Sequence, residues 1–141
     1  MVTFYQSQYH VIQYDPDNKV LLSHWTVKDD IDQQTYQQEA QKLIEAAEKF
    51  KPIALIVDTR DFISPMTPDI HRWTTNIITP VLGKNGVKRI AYLMPKPILS
   101  RLSIELLITE AKLKSQFVNR EIFDDYEKAF NWAKQANKIP S

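Results

Sequence analysis

The chain contains no cysteine, which removes disulfide bonds, thiolate catalysis and cysteine-ligated zinc, and leaves the redox compartment undetermined. Glycine is nearly absent too, with two in 141 residues, both in the turn at 83–86. No apolar run approaches the roughly 20 residues that a membrane-spanning helix needs, and the opening MVTFYQSQYH lacks a basic segment followed by an apolar one. A cytoplasmic protein without a transmembrane segment is the expectation. Neither sign of charge is in excess, since 18 Lys and Arg against 17 Asp and Glu leave +1. What is present is ordinary for a globular domain: 43% hydrophobic, 11% aromatic and 25% charged residues. A chain of this length suits one domain over 1–141 that buries roughly two-thirds of its unfolded surface.

Hydrophobic period organises the chain. Two alternating runs, 9–14 and 20–25, flank Asp15-Pro16-Asp17-Asn18-Lys19, a turn-rich pentapeptide, and predict a hairpin. A helix follows, beginning between Asp32 and Thr35, with Thr35 and Gln38 in capping-box spacing and Tyr36, Ala40, Leu43, Ala47 and Phe50 on one face. The continuous apolar run 53–57, ending in Asp58, suits a parallel strand covered on both faces. A loop over 59–67 leads to a helix opened by Thr67 and Pro68, with Ile70, Trp73, Ile77 and Val81 inward and Pro80 limiting its length. A strand centred on 90–93, a long helix over 98–114, a half-polar edge strand near 117–123 and a last helix after an Asp124–Glu127 capping pattern complete the order. This order, β-β-α-β-α-β-α-β-α, implies an α/β fold with a mixed sheet opened by a hairpin and right-handed crossovers.

The opening hairpin, the strand Ile53-Ala54-Leu55-Ile56-Val57-Asp58 with its loop, and the ending Phe123-Asp124-Asp125-Tyr126-Glu127-Lys128-Ala129-Phe130-Asn131-Trp132 together resemble the SpoIIAA-like, or STAS (sulfate transporter and anti-sigma factor antagonist), superfamily. The resemblance implies a SpoIIAA-like architecture and a small non-enzymatic regulatory or protein-interaction domain, with a carrier or sensor of a small apolar or amphipathic ligand as the alternative. Anti-sigma factor antagonists carry a phosphorylated serine in an Asp-Ser-Ser-Gly-type segment after this strand. Here the region reads Phe62-Ile63-Ser64-Pro65-Met66-Thr67-Pro68-Asp69, without that tetrad, so Ser64 and Thr67 are the only hydroxyls offered for phosphorylation.

Ligands of open α/β sheets meet the carboxyl ends of the strands. That rule places Asp58, Arg60, Asp61, Ser64 and Thr67 on one edge with Lys96 and Arg101, a partner- or anion-binding edge if these groups are not simply capping turns and pairing with one another. Asp58, Asp61, Asp69 and His71 have no metal-site spacing, no nucleophile–base pair can be named, and neither a metal, a cofactor nor a catalytic residue is expected. Between Ile70 and Ile104 there is no acidic residue, while Arg72, Lys84, Lys88, Arg89, Lys96 and Arg101 all occur; the scatter of these bases argues against nucleic acid. The helix over 98–114 carries two apolar stripes. Ile98, Leu99, Leu102, Leu106 and Leu113 suffice to pack on the sheet, which leaves Ile104, Leu107, Ile108 and Ala111 to be covered by a neighbouring helix, a second subunit or an apolar ligand. A homo-oligomer or a regulatory protein partner is therefore expected.

Overall fold

The computed structural model describes residues 1–114 and 117–138. Six strands form one mixed sheet in sequential order: β1 (Val2–Gln6), β2 (His10–Asp15), β3 (Val20–Val27), β4 (Ala54–Phe62), β5 (Arg89–Leu93) and β6 (Asn119–Phe123). The first three pair antiparallel and the last four parallel. The crossovers run through α1 (Gln33–Phe50), through a continuous helical segment made of α2 (Pro68–Trp73), a π-helical turn (Thr74–Ile78) and α3 (Thr79–Lys84), and through α4 (Ile98–Lys114). After β6 the chain ends its described course in α5 (Tyr126–Lys134) and a 3-10 turn. Among the described residues no helix is long and apolar enough to cross a membrane.

Two cores result. The larger sets Ile12, Leu21, Trp25, Leu55, Ile90 and Tyr92 of the sheet against Tyr36, Leu43, Ile70, Leu82 and Ile104 of α1 to α4. The smaller sets Val20, Ala54, Ile56, Ala91 and Leu93 against Ala129 and Ala133 of α5. Residues 55 and 56 thus serve opposite faces, which is why the central strands read as unbroken apolar runs. Alanines on both sides of the smaller core let α5 lie close on the sheet.

The structure departs from the sequence reading at several points. β1 was not foreseen; it is an edge strand with an irregularity between Thr3 and Tyr5 and no clean alternation. β4 continues through Asp58, Arg60 and Asp61 to Phe62, so these residues lie in the strand and not in a loop. The α1 cap is Asp32, whose carboxylate accepts from the Thr35 amide at 2.8 Å and from its hydroxyl at 3.0 Å, which replaces the capping box expected at Thr35 and Gln38. The α5 cap is Asp125 rather than Asp124, accepting from the Lys128 amide at 2.9 Å. Thr67 does cap α2, its hydroxyl accepting from the Ile70 amide.

The helical segment after Thr67 is not stopped by Pro80, which stands near the start of α3. Proline cannot donate to the carbonyl four residues back, and the turn before it widens to a π-helix, Thr74–Ile78. One added residue per turn advances the helical phase by about 100°. The inward positions accordingly become Ile78 and Leu82, both buried, while Ile77 stands exposed and Val81 half-buried.

The two stripes of α4 are exchanged relative to expectation. Of the stripe Ile104, Leu107, Ile108 and Ala111, Leu107 is half-buried and the other three are 1–5% exposed and face the sheet, so this stripe is closed to a second subunit. Ile98, Leu99, Leu102, Leu106 and Leu113 are 50–77% exposed. Periodicity alone cannot orient a helix with two stripes, but hydroxyls do so here. Ser100 donates to the Ile63 carbonyl, and Ser103 accepts from the Met66 amide at 3.3 Å, which tie the inner face to the segment after β4.

The π-helical phase has a direct test. Ile78→Ala should destabilise the protein by about 2–5 kcal/mol, and Ile77→Ala by less than about 1 kcal/mol, in chemical denaturation. Equal losses at both positions would reject the phase described.

Candidate functional site

The carboxyl ends of β4, β5 and β6 open on a groove of about 810 Å³, whose lining includes Arg60, Asp61, Met94, Lys96, Arg101 and Asp124. A β-bulge shapes this edge. His24 of β3 pairs with Asp58, but Thr26 pairs with Asp61, so β4 carries one residue more than its neighbour. A bulge inverts the parity of a strand. Thr59 follows Leu55 and Val57 inward by ordinary alternation and donates to the Leu93 carbonyl at 2.6 Å, and beyond the bulge Phe62 enters the core while Asp61 stays on the surface.

Of the residues expected at this edge, Arg60, Asp61, Lys96 and Arg101 do converge on the groove. Asp58 stands behind it, buried, and holds Arg60 through two side-chain bonds of 3.0 and 2.8 Å and an amide bond of 3.1 Å. Its hydrogen bonds hold the Arg60 guanidinium above its ordinary pKa. Ser64 is half-buried and the Thr67 hydroxyl is engaged as the α2 cap; neither lines the groove. The groove is internally balanced. Arg101 pairs with Glu105 at 3.1 Å, and Asp61 meets His24 at 2.9 Å. An anion arriving at Arg60 or Arg101 would have to compete with carboxylates already in place, whereas Lys96 is exposed.

The acid-free stretch does not form one basic patch. Lys88 and Arg89 lie at the amino end of β5 and Lys96 beyond its carboxyl end, so the strand itself divides the charges between opposite edges. Arg89 sits over the Trp132 ring at 4.7 Å and donates to the Trp132 carbonyl; Arg72 pairs with Asp69. Among the described residues no group of three or more His, Cys, Asp or Glu side chains could hold a metal ion.

Two polar arrangements escaped sequence reasoning. The first is a sealed network beneath α1. His10 stacks on Trp25 with ring centroids 3.9 Å apart, contacts the Ser23 hydroxyl through Nε2 at 2.6 Å, and lies 3.1 Å through Nδ1 from the Glu39 carbonyl. The Glu39 carboxylate accepts from Tyr5 at 2.8 Å and Ser7 at 2.6 Å, which fastens β1 to α1. Ser23 and His10 resemble a nucleophile and base in spacing only, because both are buried out of reach of any substrate. The second is Arg120 of β6, 5% exposed, beside the Tyr92 hydroxyl on the inner face of the sheet. The alternation of β6 hinted at it, since Asn119 and Glu121 are exposed on either side.

No family model, no curated protein and no solved structure matches the chain. The fold and the edge define an α/β protein with a six-stranded mixed sheet and a groove at the carboxyl ends of its parallel strands.

The buried imidazole makes stability depend on pH. Burial is the main cause that lowers the His10 pKa from 6.5 to about 3, so the folded protein resists a proton that the unfolded chain accepts. Stability from this group is complete above the unfolded pKa and is lost as pH falls from 6.5 toward 3. The slope approaches about 1.4 kcal/mol per pH unit. Urea midpoints measured at neutral pH and near pH 5 should show this loss, and His10→Gln should reduce it. An equal pH dependence in the variant would assign the effect elsewhere.

Proposed function

We propose that the protein is a non-catalytic interaction domain of SpoIIAA-like, or STAS-like, architecture that works as a homodimer through the outer face of α4. The observation that carries this reading is the exposed stripe Ile98, Leu99, Leu102, Leu106 and Leu113. Together these five side chains expose on the order of 600 Å², at or above the largest apolar patch of a typical monomer. A two-fold contact between two such faces would bury about 1,200 Å², the lower bound of specific interfaces.

The spacing of the stripe favours a second copy as its occupant. Leu106 lies midway between Leu99 and Leu113. An antiparallel contact with its axis at Leu106 therefore sets Leu99 of one copy against Leu113 of the other, and the same surface serves both sides as a two-fold interface requires. The groove of Arg60, Asp61, Lys96 and Arg101 remains open for a regulatory partner, since it lies at the carboxyl edge of the sheet. The resemblance in element order, from the opening hairpin to the final helix, supports the regulatory reading.

Sedimentation equilibrium should return twice the 16.5 kDa chain mass for the unmodified protein at micromolar concentration. The pair Leu102→Glu and Leu106→Glu should return a single chain with an unchanged circular dichroism spectrum. A single chain at every concentration of the unmodified protein would overturn the homodimer.

A further inference from the structure

Between the sheet and the layer of α1, the π-helical turn, α3 and α4 lies an internal cavity of about 70 Å³. Apolar side chains make most of its wall: Leu55 and Ile90 from the sheet, Ala40 from α1, Ile78 from the π-helical turn, and Ile104 and Leu107 from α4. Protein interiors are close-packed, and voids larger than a water molecule are few. Two features border the space. Ala40 presents a single methyl between Tyr36 and Leu43, the larger inward residues of the same helix. Opposite it stands the π-helical turn, a geometry that recurs at functional sites.

The polar groups of the wall have little left to offer a guest. Of its five hydroxyls, four are engaged within the chain. Thr59 donates to the Leu93 carbonyl at 2.6 Å, Thr74 bonds the Ile70 carbonyl and the Tyr36 hydroxyl at 2.8 Å each, and Tyr92 hydrogen-bonds Arg120. Arg120 has further partners of its own, among them the Val118 carbonyl. Only Thr79 adds a hydroxyl without a described bond. An ordered water needs two to four polar partners, whereas apolar cavities stay dry and take up apolar guests. A charged ligand would lose its hydration here without gaining a free counter-charge. Leu107 and Met66 lie on the wall and are half-buried, so an entrance runs between α4 and the segment after β4.

We propose that this cavity is a binding site for a small, neutral, apolar molecule, held among Leu55, Ile90, Ile104 and Leu107. The size sets the class. At 70 Å³ the space is about half that of an engineered apolar cavity, ~150 Å³, that takes up benzene. Scaled from the six carbons of that guest, the space suits a hydrocarbon of about three carbons. The site uses the inner face of α4, whereas the proposed dimer uses the outer face, and the two inferences stand or fall separately.

The test exposes the full chain in turn to xenon, propane, benzene and sodium butyrate, and follows methyl and amide chemical shifts and the thermal midpoint. Xenon and propane should shift Leu55, Ile90, Ile104 and Leu107 and raise the midpoint. Benzene and butyrate should bind at least about tenfold more weakly than propane. Ala40→Val, which extends two carbons into the space from α1, should abolish the xenon and propane shifts. Leu107→Ala, which enlarges the space, should admit benzene, and it decides the matter should Ala40→Val not fold. Absence of both xenon and propane binding to the unmodified chain would overturn the proposal. Shifts confined to the outer residues Leu99, Leu102 and Leu106, or a benzene or butyrate response equal to that of propane, would overturn it as well.

Discussion

Right-handed crossovers between adjacent parallel strands leave each connecting helix one face of the sheet to occupy. Because the strand order here is sequential, all three crossovers pack on the same side, and the opposite side receives only α5. The rest of the structure follows from that asymmetry. The crowded face holds the large aromatic and aliphatic side chains, the sealed His10 network and the cavity. The sparse face is built from Ala54, Ala91, Ala129 and Ala133, small enough for one short helix to lie close and complete a core.

That constraint also explains how much could be read from the residues. The hairpin, the two-sided strand at 54–58 and the helices at 33–50 and 98–114 announce themselves through period, because each buries a defined face. β1 does not, since an irregular edge strand with exposed residues at both ends imposes no alternation. The π-helical turn is invisible for a different reason. Its local sequence, Thr74-Thr75-Asn76-Ile77-Ile78, satisfies an ordinary helix equally well, and the choice between Ile77 and Ile78 as the inward residue is made by packing.

At the candidate edge the residues were identifiable and their relations were not. Arg60, Asp61, Lys96 and Arg101 could be gathered from the rule that parallel strands present their carboxyl ends to ligands, and they do line one groove. What the spacing could not supply is the bulge in β4, which decides that Phe62 and not Asp61 points inward. The sequence offered Asp58 and Asp61 alike as partners of Arg60, and the structure selects Asp58; with Glu105 on Arg101, which the spacing did not single out, this leaves the groove nearer to neutrality than its cations alone suggest. Arg120 was harder still. An arginine in a half-polar edge strand reads as a surface residue, and only the packing of α4 over the inner face converts it into a buried one.

The composition of α4 separates its two faces by more than exposure. The inner stripe uses Ser100, Ile104, Ile108 and Ala111, short or β-branched side chains that allow a close approach to the sheet and, through Ser100, a hydrogen bond to the Ile63 carbonyl. The outer stripe consists of Leu99, Leu102, Leu106 and Leu113 with Ile98, larger and more uniform. Inner packing makes no demand on those outer positions, where polar residues would serve helix formation equally well and solubility better. Five large aliphatic residues on a face that the described residues leave exposed are thus the feature on which the proposed homodimer rests, through their area and their symmetric spacing about Leu106.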